Sequence, residues 1–220
     1  MQDGFHPPLE EYLETIHELE EEGIRVIQAR LAERLGHSAP TVSETIKRLS
    51  SDGFVTVRER AITLTSKGRN RAESVVRKHR LAERLLTDII GLEWHKAHLE
   101  AGRWEHVISD EVEAKIVALL NNPTTCPHGN PIPGSGYAAP HLVVLAESQP
   151  GDEVRLERVT EQVEIDQESI TYLSSHGFTP GTDARVRAKA PDGTLTLELH
   201  DNDVIALGPS LAQQLYVVPA

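Results

Sequence analysis

Apolar residues recur at helical spacing from the start of the chain. Leu9, Tyr12, Leu13, Ile16 and Leu19 predict a helix over residues 9–21, and Glu11, Glu14 and Glu18 fall on a neighbouring stripe. Gly23 ends it. A second helix is expected from about Gln28 to Leu35, stopped by Gly36. Ser38 is an N-cap for a third, with Pro40 tolerated in its first turn and Val42, Ile46 and Leu49 facing inward. The period then changes. Phe54 to Val57 and Ala61 to Leu64 flank the charged turn Arg58-Glu59-Arg60, the pattern of a short hairpin. Helix, tight turn, helix and hairpin make a winged helix-turn-helix.

Thr65 can cap a long helix reaching about Ile90, whose Leu81, Leu85, Leu86, Ile89 and Ile90 exceed what one helix buries against a small winged domain. Further helices are expected over about 93–107 and 109–121. Surplus apolar helical surface beside a DNA module points to a homodimer, because two half-sites match a two-fold protein. A Pro/Gly-rich linker runs from Cys126 to Pro140. Alternating strands follow at 154–159, 184–188, 195–199 and 204–207, interrupted by a helix at 167–176, with Asp192-Gly193 as a hairpin turn. The expected fold is therefore mainly α with a small β-barrel. Residues 1–75 form the winged helix-turn-helix, 76–140 a helical dimerisation domain with its linker, and 141–220 an SH3-like domain.

Charge sharpens this picture. The formal net charge is −12, which speaks against a uniformly basic coat for nucleic acid. The distribution is uneven: −3 over residues 1–75, −1 over 76–140 and −8 over 141–220. Between Arg25 and Arg71, ten Lys/Arg face four acids, a local +6, whereas the first 22 residues hold eight acids and no base. A basic island in an acidic chain is the footprint of a local DNA contact or a solvated helical surface. Ser38, Ala39, Pro40, Thr41, Ser43 and Glu44 sit at the start of the third helix, where a recognition helix meets base edges. Arg30, Lys47 and Arg48 are placed to hold phosphates, and Arg58 and Arg60 lie at the wing tip. The single Cys126 excludes an internal disulfide. Met1 to His6 lacks the basic start and apolar stretch of a secretory signal. No apolar run approaches the ~20 residues of a membrane span, so a cytoplasmic protein without a membrane partner is expected.

Two segments carry metal-compatible spacing. His79 and Glu83 are i, i+4; His98, Gly102, Glu105 and His106 are i, i+4, i+7, i+8. Each alone is weak evidence, since a His-Glu pair of this spacing is more often a solvated surface contact. His6, His17, His37, His95, His128, His141, His176 and His200 read as surface or packing histidines, and Cys126 as a loop thiol.

The run RKHRLAERLLTDIIGL over 77–92, Arg103 to Val107, Ser109 to Glu113 and Gly129 to Gly134 resemble the diphtheria toxin repressor family of iron- and manganese-dependent regulators. Tyr12 to Ile16 and Pro40 to Ser43 extend the resemblance through the N-terminal domain. It implies two metal ions per protomer. An ancillary site would use His79, Glu83 and His98, completed by Glu161 and Glu164. An activating site would use Glu11 or Glu14 of the first helix with position 102, Glu105 and His106. Position 11 is Glu rather than the Met of iron-type members, and position 102 is Gly rather than Cys or an acid. Glu14 matches a carboxylate of manganese-type members. Soft thioether and thiolate ligands suit later divalent metals, while carboxylates suit Mn²⁺; Mn²⁺ is the expected effector and Fe²⁺ the alternative. The implied activity is repression of metal-uptake genes, with metal ordering the first helix of a dimer on a palindromic operator. Glu44 stands where iron-type members have Gln; a carboxylate accepts from cytosine N4 but cannot pair bidentately with adenine.

Two other classes are weighed. A ferritin-like metalloenzyme needs Glu-x-x-His on two helices; the chain has Glu14 to His17, and Arg103 fills the equivalent slot before His106. A metal-buffering protein without a DNA role would leave the basic island unexplained.

Overall fold

The structure, a computed structural model, describes residues 8–200 and 203–219; His6 and the other N-terminal residues before Pro8 lie outside them. The chain divides into two compact units, Met1–His79 with Gly102–Ala114, and Arg80–Ala101 with Lys115–Ala220.

In the first unit, α1 (Pro8–Glu21), α2 (Gln28–Leu35) and α3 (Ala39–Ser51) precede the antiparallel hairpin of β1 (Val55–Arg58) and β2 (Ala61–Leu64). The boundaries follow from local chemistry. Gly36 ends α2 at φ +64°, a left-handed conformation that costs glycine little. The Ser38 hydroxyl caps α3 by accepting from Thr41 N at 3.4 Å. Tyr12, Leu13, Ile16, Leu31, Val42, Ile46, Leu49 and Ile62 form one core, each at most 1 % exposed. Burial on this scale contributes roughly 1.5–3 kcal/mol per large side chain, and it fixes which faces of α1 and α3 remain available for chemistry.

Helix α4 (Ser66–Arg84) begins as expected at Thr65, whose hydroxyl accepts from Gly68 N at 3.1 Å. It does not continue as α-helix to Ile90. Residues Leu85–Ile90 switch to wider π-type turns closed by Gly91. The helix expected over 93–107 is a 3₁₀ turn at Trp94–Lys96 followed by α5 (Ala97–Trp104), and α6 runs Asp110–Leu119.

The second unit contains β3 (Val143–Val144), β4 (Glu153–Val159), α7 (Glu161–Ile165), α8 (Gln167–Ser175), β5 (Asp183–Lys189), β6 (Leu195–Glu198), β7 (Val204–Leu207), α9 (Pro209–Ala212) and β8 (Leu215–Pro219). All pairings are antiparallel, in the order β3-β8-β4-β5-β6-β7. The expected β-barrel is corrected here: the sheet is open, with β3 and β7 at its two edges. Closure is replaced by cover. Val163, Ile170 and Leu173 from α7 and α8 enter the same core as Leu156, Val186, Leu197 and Val217, so the apolar face is satisfied without a closing strand pair. No helix among the described residues is long and apolar enough to cross a membrane.

Candidate metal centre

In the first unit, α1 supplies buried Glu10 and half-buried Glu11 and Glu14, α4 supplies Arg71 and His79, and the turn closing α5 supplies Glu105 and His106. Glu105 bridges two imidazoles. One oxygen pairs with His79 Nδ1, and the other lies 2.9 Å from His106 Nε2. The remaining ring nitrogen of His106, Nδ1, lies 2.8 Å from Glu10 Oε2, and the second Glu10 oxygen pairs with Arg71. Donor atoms of Glu14, His79 and Glu105 lie within 4.8 Å of one another. Neither Glu11 nor Gly102 enters that trio; Gly102 sits half-buried in α5, three residues before Glu105.

Electrostatics in this cluster are strong because the groups are buried. Burial opposes ionisation of Glu105, yet the flanking imidazoles hold its carboxyl down to about 2. Burial likewise opposes the His106 imidazolium, but hydrogen bonds to Glu10 and Glu105 push it up to about 9. The hydrogen bond from His106, reinforced by Arg71, lowers Glu10.

In the second unit, Glu83 of α4, His98 of α5, and Glu161 and Glu164 of α7 converge. His98 Nδ1 lies 3.1 Å from Glu161, 3.3 Å from Glu164 and 3.5 Å from Glu83. His128 is completely buried against the same acids, with Nδ1 at 3.1 Å from Glu83 and 2.9 Å from Glu164. Its Nε2 lies 3.2 Å from the Trp94 carbonyl, an acceptor only, which places a proton on Nε2 and leaves Nδ1 on the acids' side. Cys126 Sγ is 4.0 Å from that Nδ1. Donor atoms of Glu83, Cys126 and His128, and separately those of Glu83, His98 and Glu164, lie within 4.8 Å of one another.

The linker is fastened where these ligands emerge. Arg84 Nε donates to Thr125 O at 2.8 Å, and Cys126 N to Asn130 O at 2.8 Å. Gly129 passes so close to β4 that a Cβ would lie 1.9 Å from the Glu157 carbonyl. Burial disfavours charge on His98 and His128, but the surrounding carboxylates raise both imidazoles well above their ordinary range. Burial also raises Glu164, aided by Glu161. Cys126 is pushed up to about 12 by burial and by Glu83 and Glu164. Both clusters fit a divalent cation. Glu164 Oε2 is buried and makes no hydrogen bond of good geometry with a described residue, although His128 Nδ1 stands 2.9 Å away. Such lone pairs are costly unless a proton or a metal takes them.

The DNA-facing candidates are mostly exposed. Ser38, Ala39, Pro40, Thr41, Glu44, Lys47 and Arg48 are exposed at and after the α3 cap, and Ser43 is half-buried. Arg30 is exposed and paired with Glu33 at 3.0 Å, and Arg48 lies 3.9 Å from Asp52. Arg58 and Arg60 flank the wing turn, where Glu59 and Arg60 adopt φ +48° and +68° and Arg25 Nη2 donates to Glu59 O at 2.9 Å.

Comparison with known proteins matches this order of parts. The N-terminal DNA binding domain of iron dependent repressors matches residues 5–61, their metal binding and dimerisation domain 65–134, and the FeoA domain 143–219. The iron-dependent repressor IdeR of Mycobacterium tuberculosis is 45% identical over 221 residues, covering 94% of this chain and 95% of that protein. The chain belongs to the iron-dependent repressor family. The family's diphtheria toxin repressor from Corynebacterium diphtheriae is 45% identical over 206 residues, covering 89% of this chain and 90% of that one. Among solved structures, a manganese-dependent transcriptional repressor in complex with manganese superposes with a TM-score of 0.87 at 33% identity, covering 96% of this chain and all of that one. ScaR with bound Zn²⁺ gives 0.81 at 29%, covering 97% and all of that chain. These are metal-dependent repressors rather than enzymes.

Three residues that the sequence did not point to as cluster members sit in the clusters of this repressor: Glu10, Cys126, read there as a loop thiol, and His128, read there as a surface or packing histidine. Cys126 and His128 had a readable signal, two ligand types one residue apart in a Pro-bounded loop. Glu10 had none, because four acids crowd the same helix between residues 10 and 18.

Proposed function

We propose that this member of the family is a manganese-responsive repressor in which the first unit's cluster senses the metal and α1 transmits occupancy to the DNA-binding face. The observation that carries the choice of metal is the donor set of Glu14, His79 and Glu105, joined by His106: carboxylates and imidazoles, with no sulfur. Hard oxygen donors suit Mn²⁺. In the second cluster, Glu83, His98, Glu161 and Glu164 are joined by His128 and the Cys126 thiol. That thiol gives the second site a softer character and a structural role. One ion in each cluster makes two per protomer.

When bound, a divalent cation supplies the positive charge that protons otherwise carry in these clusters. The chain's own residues do the rest. Glu14 ties α1 to His79 and Glu105, and the α1 core residues Tyr12, Leu13 and Ile16 carry that constraint toward α3 and the wing. Ser38 to Glu44 then meet base edges while Lys47, Arg58 and Arg60 hold phosphates. In a homodimer on a palindromic operator, two recognition helices must stand about 34 Å apart. Metal shifts this equilibrium only by its differential affinity for the DNA-competent arrangement. Negative feedback on metal-uptake genes is the regulation such a switch serves.

The 45% identity to the mycobacterial protein named an iron-dependent repressor favours Fe²⁺ as the second reading. Anaerobic calorimetry on the metal-free chain, paired with gel shifts on its promoter, separates the two. The expected result is DNA binding at micromolar Mn²⁺, abolished by Glu105→Ala/His106→Ala. A chain that ignores Mn²⁺ but answers Fe²⁺ reverses the choice of metal; equal DNA affinity of metal-free and loaded protein refutes the switch.

A further inference from the structure

Glu10 was not selected by helical spacing, yet it is an α1 acid that touches a candidate ligand directly. We propose that Glu10 is a positioning residue: it fixes His106 as the Nδ1–H tautomer, so that Nε2 is committed to the metal, and its pairing with Arg71 locks α1 to α4 in that state. The inference rests on His106 being a ligand, as proposed above.

The geometry has two sides. His106 Nε2 faces Glu105 at 2.9 Å, on the side where Glu105 also meets His79. His106 Nδ1 faces away from that cluster, toward Glu10 Oε2 at 2.8 Å. A neutral imidazole carries one proton, and the nitrogen without it is the ligand. A carboxylate accepting from one nitrogen therefore decides which nitrogen binds metal.

Glu10 is well placed to hold that proton. Its side chain is 6% exposed, and Arg71, 55% exposed, reaches in from α4 to its second oxygen. A buried carboxylate survives when compensating groups face it; here His106 faces one oxygen and the Arg71 guanidinium is ion-paired with the other. The arrangement also joins three segments. Glu10 belongs to α1, Arg71 to α4, and His106 to the turn after α5. A restriction on the His106 ring is passed to α1 through its hydrogen bond to Glu10.

The test uses the full chain labelled with ¹⁵N-histidine, with Zn²⁺ as a diamagnetic probe. His106 is assigned among the eleven histidines by difference from His106→Gln. In the wild type, zinc should shift Nε2 and leave Nδ1 protonated. Glu10→Gln is near-isosteric and keeps a carbonyl acceptor, so it should retain that tautomer with a modest loss of affinity. Glu10→Ala should show mixed tautomers and bind zinc roughly 10- to 100-fold more weakly, with the metal concentration for DNA binding raised by the same factor. Arg71→Ala should fall between them. Retention of a single Nδ1–H tautomer in Glu10→Ala, or zinc affinity within twofold of wild type, overturns the proposal. If zinc moves neither nitrogen of His106 in the wild type, the ligand assignment fails first and the proposal falls with it.

Discussion

Raising the pH should destabilise the metal-free protein through His106. Its imidazolium lies between Glu10 and Glu105 and is held up to about 9 from the usual 6.5. A group whose folded value is raised contributes fully below its unfolded value and loses that contribution as pH rises through the folded one. At 1.36 kcal/mol per unit, the loss between pH 6.5 and 9 is about 3 kcal/mol, a large share of the 5–15 kcal/mol typical of a domain. The first unit contains Trp104 and the second Trp94, so a Trp94→Phe background lets Trp104 report on the first unit alone. Urea midpoints would be measured at pH 6.5, 7.5 and 9 in chelator, with His106→Gln as the reference for every other titrating group. The expected result is an alkaline loss in His106 protein that the Gln variant lacks. With Mn²⁺ present the sign reverses, because binding expels the His106 proton and tightens as pH rises. Equal pH profiles for the two metal-free proteins would refute the ion cluster as drawn.

Two further outcomes follow from specific contacts. Gly129→Ala combines φ +89° with a Cβ 1.9 Å from the Glu157 carbonyl, so the linker must lift off β4; we expect a loss of about 2 kcal/mol or more in the second unit, and zinc competition should show weakened binding at the Glu83–His128 cluster with the Glu105 cluster unaffected. Lys47→Ala and Arg58→Ala, exposed residues that make no ion pair with a described residue, should each reduce the slope of log affinity against log salt by about 0.9, read by fluorescence anisotropy on promoter DNA; an unchanged slope would remove that residue from the phosphate contacts.

The first unit was largely legible because its signals are local. Helical spacing in α1, the Gly36 stop, the Ser38 cap and the Arg58-Glu59-Arg60 turn each act within a few residues. The second unit was legible in its strands but not in its closure. Alternation in β4 to β7 reveals which side is buried, whereas pairing of β8 with both β3 and β4 joins segments about 60 to 75 residues apart and leaves no local trace. The metal clusters divide in the same way. Glu83, His98, Glu161 and Glu164 lie together, and His79, which the resemblance groups with them, pairs with Glu105. His128 joins those four only because the linker is pressed against β4, a tertiary event. Glu10 and Glu11 differ by about 100° of helix, and which of the two turns toward His106 is decided by how α1 docks through Tyr12 and Leu13.

At Gly102, three residues before Glu105 and four before His106, an added Cβ would meet nothing within 4 Å. The local scaffold thus leaves room for a Cβ at that helical step. A side chain can start from that step without its first atom meeting a neighbour, which makes this one codon the natural place for evolution or an engineer to try altering the regulator's choice of element.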